Sequence, residues 1–119
     1  LADRCFVALA MPDDAVLSIR DGARGSLLYG DGWFSRVPAV ELDAVADPTG
    51  AGNAFAGALA AGFVEQRARA QPTREAALAA AAVATAVGAA MCKTAGWAPG
   101  DVAEARRWVE RSSARIEIT

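Results

Sequence analysis

The chain has 119 residues, 54% hydrophobic and 22% charged, with 12 cations, 14 anions, no histidine and a mean hydropathy of +0.21. That is one domain's length, too apolar for a disordered chain, and a net charge of −2 leaves no basic footprint for nucleic acid or an anionic membrane. The missing histidine excludes Ser-His-Asp and Cys-His catalysis and His-ligated zinc, while the distant Cys5 and Cys92 give no disulfide framework and favour a reduced, cytoplasmic setting.

Residues 1–10 place Leu1, Cys5, Phe6 and Leu9 at helical spacing, and Met11-Pro12-Asp13-Asp14 is a turn. Ala15–Arg20 follows as a short strand, broken by Asp21-Gly22-Ala23-Arg24-Gly25. Ser26–Tyr29 resumes as strand, Gly30-Asp31-Gly32 turns, and Trp33–Leu42 is extended, so these two read as a hairpin. Pro38 puts its strand at an edge or on a bulge.

The second half changes character. A helix is predicted from about Asn53 to Arg69, with Phe55, Leu59 and Phe63 on every fourth residue. Thr73 is the expected N-cap of a second helix, with Glu75 in its first turn, running to about Thr94 and stopping near Gly96. Alanine supplies 31 residues, and the tract at 76–92 is the nearest approach to a membrane span. Ala and Thr make it too weakly hydrophobic to insert, so a helix packed tightly on a sheet is the expectation. Asp101-Val102-Ala103-Glu104 resembles a capping box opening a helix to about Ser112, and Ile116–Ile118 is a candidate last strand. Strands first and helices second indicate an α/β layer architecture.

One segment carries chemistry. In Asp47-Pro48-Thr49-Gly50-Ala51-Gly52-Asn53-Ala54-Phe55 a strand leads into a small-residue turn that opens directly into a helix. Such a turn aims free backbone N–H groups and the positive end of the helix dipole at one point, where a phosphate is stabilised. A bare Gly-x-Gly turn is more often an ordinary tight turn; the flanking Asp-Pro-Thr and Asn-Ala-Phe-Ala-Gly shift the reading toward phosphate. Trp33, Trp97 and Trp108 read as packing residues. Arg67, Arg69 and Arg74, and Arg106, Arg107 and Arg111, read as solvated edges.

The segment resembles the C-terminal signature of the ribokinase-like (PfkB-type) carbohydrate kinases, Asp-x-Thr-Gly-Ala-Gly-Asp-x-Phe, at Asp47, Thr49, Gly50, Ala51, Gly52, Phe55 and Gly57. Upstream, Ala15–Ser26 resembles the family's strand and Gly-x-x-Gly nucleotide turn. The resemblance implies the C-terminal portion of a three-layer α/β/α fold and transfer of the ATP γ-phosphoryl to an alcohol group of a sugar-like substrate. It implies an anion hole from the backbone of Gly50, Ala51 and Gly52, and a nucleotide side lined by Arg20, Gly22 and Gly25. Mg2+ is implied as the nucleotide's companion, and Asp47 and Thr49 match positions that can help bind K+.

Asn53 departs from the pattern, standing where the family's kinases carry the Asp that accepts the substrate hydroxyl's proton. Asn can hydrogen-bond a hydroxyl but is no base near neutral pH. The chain is therefore read as a phosphotransferase with its base elsewhere, or as a silent ligand-binding or interaction module. Asn53 is also a good helix N-cap. The whole chain, 1–119, is expected to be a partial kinase domain without the N-terminal sugar-binding and lid portion or the family's Asn-x-x-Glu motif. Such a fragment is inactive alone and needs that part or a partner chain. A half-domain of parallel-sheet type would expose a strand edge and an apolar sheet face.

Overall fold

The computed structural model describes residues 11–42, 44–93, 107–111, 113 and 117–118. The helical spacing at 1–10, Cys5, the stop at Gly96, Trp97, the capping box at Asp101–Glu104 and Arg106 lie outside the described residues. Strands β1 (Leu17–Arg20), β2 (Ser26–Gly30), β3 (Trp33–Val37) and β4 (Glu117–Ile118) form one sheet in that order. Helices α1 (Ala51–Ala68) and α2 (Thr73–Lys93) follow the first three strands. The α/β class and the order of strands before helices are as expected, and the architecture is consistent with part of a ribokinase-like fold.

Every strand pair among the described residues is antiparallel, which corrects the expectation of a parallel sheet. For the first two pairs the reason is connection length: a parallel pair needs a crossover of about a dozen residues or more. Here β1 and β2 are joined across a short 3₁₀ turn at Gly22–Arg24. Strands β2 and β3 form the expected hairpin, with Gly30 paired to Trp33 around Asp31-Gly32. Strand β3 ends at Val37, immediately before Pro38, whose missing N–H cannot continue the ladder. Strand β1 keeps one free edge among the described residues.

Alternation along the strands sorts the two faces. Ser26, Leu28, Ser35 and Val37 are buried on the helix-facing side. Leu17, Ile19, Leu27, Tyr29 and Phe34 fall on the opposite face by register and are half-buried there, with the Tyr29 and Phe34 rings 4.8 Å apart. Two clusters make the core. Leu28 and Val37 pack with Ala77 and Ala81, flanked by Leu59 and Phe63 of α1. Ala86 and Ala89 pack with Trp108, flanked by Val40 and Leu42, and the Lys93 ammonium lies 5.3 Å from the Trp108 ring centre.

Helices α1 and α2 form an antiparallel pair at close range. A Cβ on Gly62 would lie 3.0 Å from that of Ala80, and one on Gly88 3.5 Å from the Ala51 carbonyl oxygen. By length and composition α2 could cross a membrane, but half of its most apolar window is buried inside the fold. The alanine tract thus serves as a packing surface, as its composition predicts.

Both helices start earlier than their expected caps. The Ala54 N–H donates to the Gly50 carbonyl at 2.9 Å, so Gly50 caps α1 and Asn53 lies inside its first turn. The Ala76 N–H donates to the Pro72 carbonyl at 2.9 Å, which moves the cap of α2 from Thr73 to Pro72.

Candidate functional site

The turn at 47–52 is held from three sides. The Thr49 N–H donates to Asp47 Oδ1 at 2.9 Å, closing a tight Asx turn. The Thr49 hydroxyl and backbone N–H together hold the Asp47 carboxyl below its ordinary range. The N–H groups of Ala46 and Asp47 donate to the Cys92 carbonyl at 2.8 and 3.3 Å, pinning the incoming chain to the last turn of α2. Gly50 then takes a left-handed conformation, φ +83°, that swings the backbone into α1. A Cβ there would meet only Met91 Cε at 3.6 Å, so backbone angle, not space, is what demands glycine.

Of the first turn's N–H groups, that of Ala51 is spent on the Pro48 carbonyl at 3.2 Å. Of the expected anion hole at Gly50, Ala51 and Gly52, the Ala51 N–H is thus engaged within the turn, while those of Gly50, Gly52 and the neighbouring Asn53 have no hydrogen-bond partner among the described residues. Gly52 and Asn53 are solvent-exposed. The Asn53 side chain, expected to cap α1, makes no capping hydrogen bond because it sits one turn too far along.

Arg20 is brought to the same place from the sheet. It ends β1 on the helix-facing side, and its Nη1 donates to the Gly52 carbonyl. A Cβ on Gly52 would come within 2.5 Å of that Nη1, so the bare glycine admits the guanidinium. Arg20 has no carboxylate partner among the described residues. A cation and a helix N-terminus thus share one exposed spot with no anion between them, an arrangement suited to a phosphate. This approach joins residues 32 apart, and no periodicity in the sequence signals it.

Gly22 and Gly25 shape the turn after Arg20. The Asp21 N–H donates to the Gly25 carbonyl at 2.8 Å, and Arg24 Nε pairs with Asp21 at 2.9 Å. Gly25 has φ +97°, and a Cβ there would overlap the Val37 carbonyl oxygen. Its bareness lets the turn lie against the end of β3. Met91 and Gly88 are supporting residues that sequence reasoning passed over, the glycine inside an alanine helix being the one usable signal, and Cys92 acts through its backbone carbonyl, which no side-chain pattern encodes. Arg67, Arg69 and Arg74 lie on the solvated edge as expected, Arg69 pairing with Glu65 at 2.7 Å. Arg107 and Arg111 are exposed, and Trp108 is buried as a packing residue.

A helix N-terminus with bare backbone donors, entered from an irregular segment and met by an arginine from a strand end, is an arrangement that could take an anion. The pfkB family carbohydrate kinase profile matches residues 7–95, about three-quarters of the chain and the whole of this site. The chain belongs to the pfkB family of carbohydrate kinases. Comparison with curated proteins gave no significant match.

Proposed function

We propose that this chain carries the nucleotide- and phosphate-binding portion of an ATP-dependent phosphotransferase that acts on an alcohol group of a carbohydrate-like substrate. The observation that carries the reading is the pair of unengaged N–H groups at Gly52 and Asn53, beside Arg20, in a pfkB-family chain. Gly50 and Ala51 set the turn, Gly52 admits the Arg20 guanidinium beside the free donors, and the dipole of α1 favours charge developing there. Catalysis of this type is mostly positioning and electrostatic stabilisation, which backbone donors supply without histidine.

Arg20, Gly22 and Gly25 form the nucleotide side of the proposal, Arg20 meeting phosphate and the two glycines holding the turn open. Bound ATP would supply the phosphoryl group, with Mg2+ neutralising its oxygens. Asp47 and Thr49, joined in one turn, are the proposed positions for K+. The sugar-binding and lid portion, or a partner chain, supplies the substrate contacts, and use of ATP goes with a cytoplasmic setting.

Asn53 favours a second reading, a silent ligand-binding module. Its carboxamide is exposed at the mouth of the turn and has no basic lone pair to take a hydroxyl proton. The test, on the chain completed by the sugar-binding portion it is expected to need, is ATP consumption against a panel of sugars and polyols by the wild type and Asn53→Asp. Wild-type turnover sinks the silent reading. No wild-type turnover with gain in Asn53→Asp sinks the enzyme reading, and absence of nucleotide binding by both sinks the two together.

A further inference from the structure

The helix-facing side of the sheet carries polar side chains where packing calls for apolar ones. By register Ser18, Arg20 and Ser26 share that side with Leu28 and Val37. Ser26 is only 3% exposed, and its Oγ, like that of Ser18, is buried with no hydrogen-bond partner among the described residues. A buried hydroxyl left unpaired destabilises a fold, so its place needs a reason.

For Ser26 the reason stands directly across the ladder. Its partner on β1 is Arg20. The Asp21 N–H donates to the Gly25 carbonyl, the bond that brackets this pair on its turn side. Arg20 and Ser26 are therefore a non-hydrogen-bonded pair, the kind whose side chains approach closest, with Cβ atoms about 4.5–5.5 Å apart. The Arg20 stem starts beside the unpaired hydroxyl and its head ends at α1, where Nη1 donates to the Gly52 carbonyl. Among the described residues that is the guanidinium's one engaged donor. The neighbouring Asp21 carboxylate does not draw it away, being taken by Arg24 Nε at 2.9 Å.

We infer that Ser26 positions Arg20 for an anion. With phosphate oxygens on the N–H groups of Gly52 and Asn53, the Nη groups of Arg20 turn to those oxygens and its Nε–H donates to Ser26 Oγ. Ser26 gains the partner it lacks, and the guanidinium is fixed in one plane beside the helix start, the condition for a two-pronged grip on phosphate. Ser26 touches no phosphate itself; it acts through Arg20. The inference rests on the phosphate reading proposed above and adds a positioning residue to it.

The test is ATP binding with Mg2+ by the full chain, measured by calorimetry beside thermal unfolding of the free protein. Ser26→Ala removes an unpaired hydroxyl, so the free chain should melt no lower than the wild type. Its Kd for ATP should nonetheless rise about tenfold, the loss of one hydrogen bond to a charged group. A side chain that only packs does not leave stability intact while weakening affinity. Ser26→Thr keeps the hydroxyl and should restore binding. Ser18→Ala, which removes an equally unpaired hydroxyl two residues from Arg20, should leave the Kd unchanged. In an Arg20→Ala background Ser26→Ala should have no further effect. A wild-type Kd in Ser26→Ala overturns the inference and leaves the phosphate reading standing, as does a loss of equal size without Arg20. A wild type that binds no ATP overturns both. Should Ser26→Ala fail to fold, hydrogen exchange at Arg20 Nε–H in the wild type decides: it should slow on adding ATP and Mg2+, and unchanged exchange overturns the inference.

Discussion

Asn53 and Asp47 sit six residues apart and answer different questions. Asn53 decides chemistry: in the first turn of α1 its side chain is exposed and makes no cap, so nothing in the packing requires an amide there. Asp47 decides shape, because it accepts the Thr49 N–H and organises the turn. That bond is read most directly through pH. The carboxyl is held below its ordinary value of 3.8, chiefly by the Thr49 hydroxyl and then by its N–H. A depressed folded-state value means the contribution is fully present above the unfolded value and is lost as pH falls through the folded one. The thermal midpoint of the wild type should therefore fall on acidification below about pH 4, and Asp47→Asn should flatten that part of the profile. An unchanged slope in Asp47→Asn would show that the turn does not depend on this bond. At this scale the sequence was a good guide to which residues matter and a poorer one to what each does. Gly50's left-handed backbone took the capping role expected of Asn53, and that three-residue shift places Asn53 inside the first turn.

The elements were legible where connections are short. The β2–β3 hairpin follows from apolar runs around Asp31-Gly32, and Phe55, Leu59 and Phe63 mark the buried face of α1 in both sequence and structure. What the pattern left out was long-range pairing: β4 returns to β3 with Ile118 opposite Ser35, a contact across most of the chain that no local period encodes. The helix pair makes a sharper test of packing. Gly57 has nothing within 4 Å of a would-be Cβ, whereas Gly62 would press on Ala80 at 3.0 Å. Gly57→Ala should stabilise the fold by about 0.5–1 kcal/mol through helix propensity. Gly62→Val should cost about 1–3 kcal/mol by forcing the helices apart. Denaturant unfolding of the two variants checks the pair, and similar effects at both positions would contradict the packing described for α1 and α2.

At the scale of the molecule, the core is built from very little. Leu28 and Val37 are the largest hydrophobic side chains that are fully buried among the described residues, and alanines fill most of the rest. Leu28→Ala should cost about 2–5 kcal/mol, a large share of a typical domain's total stability, and broaden or abolish the unfolding transition. A variant that melts like the wild type would show the core to lie elsewhere. Strand β1 keeps a free edge among the described residues and the outer sheet face is half-buried, and antiparallel pairing stands where a parallel-type sheet was expected. The proposed phosphate site does not turn on this change, because it depends on one strand end, one turn and one helix start. Its most direct test is an amide NMR titration of the full chain with ATP and Mg2+. The account predicts that the Gly52 and Asn53 amide resonances move first and furthest, followed by the side-chain Nε–H signal of Arg20. Titration to millimolar ATP with those three signals unmoved would contradict it.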